Sequence, residues 1–157
     1  MAALLIAPSA AAASSGDPAR TYIEARAAAM AGDHARSATL LTALAAAQPD
    51  QVDIARKALG EALGAGQIDL ALRLARSIPP DKLTSDVRLL LVADEVKRGR
   101  LDRAQQWLKV TGDNGDLTFL APLLTAWKAA DRGDLNTALA TIDQVPVNSL
   151  FGPLRAE

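Results

Sequence analysis

Apolar residues recur along this chain at three- and four-residue steps, in runs of helical length broken by short polar turns that carry Gly, Asp or Pro. Strand-like alternation of β-branched and aromatic residues is scarce, so the runs predict helices. The first starts at Asp17-Pro18, with Asp as N-cap and Pro at the first helical position, where its missing N–H costs nothing. It runs as TYIEARAAAMA to Gly32, and Asp33 then caps HARSATLLTALAAA, which stops before Pro49. The same plan predicts QVDIARKALGEALGA up to Gly66, followed by IDLALRLARSI with Pro79-Pro80 as the stop. In the third unit Thr84 or Ser85 caps DVRLLLVADEVKR, Gly99 ends it, and LDRAQQWLKV follows. The loop TGDNGD leads to LTFLAPLLTAWKAADR, Gly133 and LNTALATIDQV, which runs to Pro146. Pro122 either marks the first turn of its helix or kinks it. Gly60 and Gly64 weaken theirs by about 1 kcal/mol each, unless they permit close packing or a bend. The expected fold is all-α: four antiparallel hairpins over 17–50, 51–83, 84–117 and 118–147, with 148–157 opening a further, incomplete repeat.

The hairpins share one frame. Gly32, Gly66, Gly99 and Gly133 lie 34, 33 and 34 residues apart, and a period in that range signals a solenoid of stacked hairpins. Each Gly is expected to close the first helix of its pair. Two residues on, His34, Ile68, Leu101 or Leu135 is expected to fold onto the hairpin. Five residues on, the small Ser37, Ala71, Ala104 or Ala138 would let the paired helices approach closely.

This frame resembles the tetratricopeptide repeat, a helix–turn–helix unit of about 34 residues, over residues 18 to 147. Pro49 sits where that family usually places a proline, and a small or apolar residue precedes each Gly by seven places, as Ala25, Leu59, Val92 and Ala126. The aromatic usual in each first helix is absent at Ala28, Ala62, Glu95 and Ala129. The resemblance implies a right-handed superhelix whose concave face, built from the first helices, holds a partner peptide, with no chemistry of its own. It places Tyr22, Arg26 and Met30 on that face, then Asp53, Arg56 and Leu63, then Leu89 and Lys97, and finally Leu123, Trp127 and Asp131. Arg26 and Arg56 could present guanidinium forks to a carboxylate, while Tyr22 and Trp127 supply apolar contact with a polar tip. The Lys/Asn-rich clamp by which some family members hold a chain-terminal carboxylate is not visible.

Composition narrows the picture. Alanine is the commonest residue and only 3% of the chain is aromatic, which suits helices with closely spaced backbones. Seventeen basic and 18 acidic residues leave a net charge of −1, without the basic stripe that nucleic acid requires. Cysteine is absent, so disulfides and thiolate chemistry are excluded. The single histidine, His34, has no nucleophile or second ligand spaced around it and reads as a turn or packing residue. Asp113, Asn114 and Asp116 resemble part of a calcium loop but lack its spacing and terminal Glu, so they read as an interhelix loop. No enzyme activity, cofactor or metal is expected. Residues 1–16 join an apolar run to A-x-A spacing at Ala11 and Ala13, which reads as a signal-peptide remnant and implies export to a bacterial periplasm. A cytoplasmic protein with an Ala/Ser-rich disordered tail is the alternative. No apolar run has the length of a membrane span. Leu150, Phe151 and Leu154 suggest an unfinished end through which a longer array continues or copies self-associate.

Overall fold

A computed structural model describes residues 17–109 and 115–145 of the chain. Among them are eight α-helices and no strand: α1 (Pro18–Met30), α2 (His34–Ala47), α3 (Val52–Gly64), α4 (Ile68–Ser77), α5 (Ser85–Lys97), α6 (Leu101–Leu108), α7 (Ala121–Asp131) and α8 (Leu135–Asp143). Two short 3-10 turns, Pro80–Lys82 and Thr118–Leu120, precede α5 and α7. The all-α expectation holds. The signal-like segment, Asp113 and Asn114, and the C-terminal Leu150, Phe151 and Leu154 lie outside the described residues.

The local start signals act largely as expected. Asp17 accepts a hydrogen bond from the Ala19 N–H at 3.0 Å, and Asp33 accepts one from Arg36 N–H at 3.0 Å. Pro122 falls in the first turn of α7, where it removes no helical hydrogen bond. Thr84 does occupy the N-cap of α5, but its side chain makes no capping bond.

The recurring glycine is a backbone device. Gly32, Gly66, Gly99 and Gly133 all take positive φ, between 69° and 79°, a region that costs an L-residue about 1–2 kcal/mol. At each, the glycine N–H reaches the carbonyl three residues back, and the next residue's N–H reaches five back: Asp33 to Ala28 at 2.9 Å, Gln67 to Ala62 at 2.8 Å, Arg100 to Glu95 at 2.8 Å and Asp134 to Ala129 at 2.9 Å. These paired bonds satisfy carbonyls that a helix end otherwise leaves open and turn the chain back on itself.

The described residues fall into two compact units, with the division between Gln67 and Ile68, so α3 belongs to the first and α4 to the second. In the first, α1 packs on α2 and α2 on α3, over buried Ala25, Leu41, Leu44, Ala58 and Leu59. In the second, α4 packs on α5, α5 on α6, α6 on α7 and α7 on α8, around Val92, Leu101, Ala104, Leu108, Leu117 and Leu124. The four small residues after the glycines, Ser37, Ala71, Ala104 and Ala138, are buried, as are Ala25, Leu59, Val92 and Ala126 before them. The position two after each glycine behaves differently. Only Leu101 is buried; Ile68 and Leu135 are exposed, and His34 turns to α3.

Candidate partner-binding surfaces

In the first unit, the first-helix residues present a basic and aromatic surface. Tyr22 and Arg26 stand one turn apart on α1, a spacing that puts them on one helix face. Lys57 of α3 reaches over, its Nζ donating to the Tyr22 hydroxyl at 2.6 Å and lying 4.8 Å from the ring centroid. The Lys57 hydrogen bond is the main cause that holds the Tyr22 phenol below its ordinary pKa, with the charges of Lys57 and Arg26 adding to it. Arg56 pairs with Asp53 one turn earlier on α3 at 2.9 Å. Met30, 84% exposed, and Leu63 are open at the ends of their helices.

His34 and Gly64 explain each other. The His34 Nδ1 lies 2.8 Å from Glu61 Oε2, and the ring rests over Gly64, where an added Cβ would come within 3.3 Å of it. Gly64 therefore serves close packing. An added Cβ at Gly60 would meet nothing within 4 Å, and nothing in the structure explains this glycine.

In the second unit, Leu89 and Lys97 are exposed on α5. Lys97 lines a cavity of about 380 Å³ between α4 and α5, with Ile68, Leu72, Leu90 and Asp94 among the other walls, while Leu89 lies outside it. Asp94 accepts from Arg76 and Arg98. Burial pushes its pKa up, but the two guanidinium bonds outweigh that and hold it below the ordinary carboxylate range. Beside it Glu95, only 4% exposed, accepts from Arg100 and faces Arg76 at 3.7 Å. Arg88 is buried too and donates to the Gly115 carbonyl. Asp116 accepts from the N–H and hydroxyl of Thr118, closing the turn before α7.

On α7, Leu123, Trp127 and Asp131 line a single groove of about 450 Å³. Ala138, Leu139 and Ile142 of α8 form its other wall. Trp127 is 63% exposed and Leu139 65% exposed.

Of the residues expected to meet a partner, the structure thus joins Tyr22 with Arg26, and Leu123 with Trp127 and Asp131. Lys57, Leu139 and Ile142 belong to these surfaces and escaped the sequence reading. Lys57 carried a usable signal, since it lies 35 residues after Tyr22, close to one repeat period. Among the described residues no group of three His, Cys, Asp or Glu could hold a metal ion, and no helix is long and apolar enough to cross a membrane. No protein-family model, no curated protein and no solved structure matches this chain.

Proposed function

We propose that the chain is a non-catalytic scaffold of tetratricopeptide-like hairpins, stacked as a right-handed solenoid, that holds a segment of a partner protein across its first helices. The observation that carries this reading is a division of labour within those helices. Seven places before each glycine Ala25, Leu59, Val92 and Ala126 are buried, while Met30, Leu89 and Trp127 stay exposed on α1, α5 and α7. Tryptophan, tyrosine and arginine side chains, here Trp127, Tyr22 and Arg26, are the residue types enriched among the anchors of binding surfaces. The test is to replace Arg26, Arg56 and Trp127 together by Ala and repeat crosslinked capture of native partners. Loss of a partner with helicity unchanged supports the reading; undiminished recovery removes it.

A second reading, an assembly segment that self-associates near its C-terminal end, is favoured by the α7–α8 groove with Trp127 and Leu139 on its rim. Light scattering of the chain at high concentration decides it: a stable monomer rules this reading out. The apolar and A-x-A pattern of residues 1–16 supports a periplasmic location for either role. A mature N-terminus that still begins at Met1 would overturn it.

A further inference from the structure

We infer that Tyr22, Arg26 and Lys57 form a site for the carboxylate of an acidic segment in a protein partner, with the phenol O–H, the guanidinium and the ammonium all donating to it. This deepens the scaffold reading and rests on it. Charge pairing around these residues supplies the reason. On the same two helices Arg20 is closed by Glu24 at 2.9 Å and Arg56 by Asp53 at 2.9 Å. Lys57 instead donates to a neutral phenol. No described carboxylate is bonded to Arg26 or Lys57.

The phenol is prepared as a donor. Its oxygen accepts a hydrogen bond from Lys57 Nζ, which leaves its own O–H to donate to a ligand. With its pKa drawn down by that bond and by the two cations, it is a stronger donor than an ordinary tyrosine. Arg26, exposed and one turn along α1, adds a planar fork that matches a carboxylate. The three groups bring two positive charges and no negative one. An acidic side chain satisfies them without the heavier charge of a phosphate.

Tyr22 is the only tyrosine in the chain, so its phenolate absorbance reports on the site alone. The full chain is titrated with a short polyglutamate peptide, a matched polyglutamine peptide and inorganic phosphate. Polyglutamate is expected to bind, to weaken with added salt, and to raise the pH at which Tyr22 ionises. Tyr22→Phe, Arg26→Gln and Lys57→Met are each expected to weaken binding by about tenfold, the loss of one charge-assisted bond. Equal binding of polyglutamine, an unmoved Tyr22 titration, or variants that bind as well as the parent would each overturn the site. Phosphate binding more tightly than polyglutamate would overturn the choice of carboxylate. The scaffold reading fails separately. If a captured native partner is lost on replacing Trp127 but kept by Tyr22→Phe and Lys57→Met, the carboxylate site falls and the scaffold stands.

Discussion

The first and second units are built on one repeat frame and dress it in different chemistry. In the first, helix α1 ends with Ala28 giving its carbonyl to the N–H of Asp33, whose side chain then caps α2. The last hairpin of the second unit repeats this with Ala129 and Asp134, which caps α8 through Thr137 at 3.0 Å. Between α5 and α6 the same two positions hold Glu95 and Arg100. The backbone bond survives at 2.8 Å, but the side chains now bond each other and no cap is made. An alanine–aspartate pair has been exchanged for a glutamate–arginine pair at the two ends of one backbone hydrogen bond. The frame thus fixes the turn, and the residues it leaves free decide whether a surface is capped, ionic or open.

The largest effects come from the core of each unit. Leu41→Ala in the first unit and Leu91→Ala in the second, both almost fully buried, are expected to cost about 2–5 kcal/mol each in urea unfolding. Leu89→Ala, two residues from Leu91 but exposed, is expected to cost under about 1 kcal/mol. Similar losses for the last two would erase the distinction between frame and surface.

The ion pair sharpens the comparison next. Arg100→Ala leaves the buried Glu95 facing only Arg76 at 3.7 Å, and an underpaired buried charge costs about 2–4 kcal/mol. Glu95→Ala restores the residue of the other hairpins and leaves Arg76 and Arg100 near Asp94 and partly in water. Its expected cost is below about 1 kcal/mol, since it removes the buried charge itself and the guanidinium groups left behind, about a third exposed, stay solvated. If Glu95→Ala proves the worse of the two, the exchange at this hairpin has been misread.

A smaller effect tests the turns in both units. An added Cβ at Gly32 or Gly99 meets nothing within 4 Å, so Gly→Ala there costs only the backbone strain, about 1 kcal/mol. A cost near zero would mean that the left-handed closure is not held.

The smallest is a pH effect. The carboxyl of Asp94 is held below the ordinary range by Arg76 and Arg98. A depressed carboxyl stabilises the fold above its unfolded pKa, about 3.9, and that contribution is lost as pH falls below it through the folded value. Asp94→Asn should therefore flatten part of the acid limb of the unfolding profile below about pH 4. An unchanged acid limb would count against the Arg76–Asp94–Arg98 cluster as a contributor.

Much of this was legible because it follows short fixed spacings. Asp17-Pro18, Asp33, the four glycines and the small residue five places on each obey rules that span a turn or two of chain, and the described helices follow them. What escaped depends on which helix comes to lie beside which. Tyr22 meets Lys57 across two helices, and although packing was readable for both His34 and Gly64, that they pack on each other was not. The α8 wall of the apolar groove was hidden for the same reason, since Leu139 and Ile142 have the spacing of ordinary packing residues.

The central claim is that the first helices, and not the second, form the partner surface. Amide hydrogen exchange of the full chain, with and without a captured native partner, tests it most directly. Added protection on α1, α3, α5 and α7, joined among the second helices only by the groove wall of Leu139 and Ile142 on α8, is the predicted result. Protection confined to α2, α4, α6 and α8, or none in either set, would contradict it.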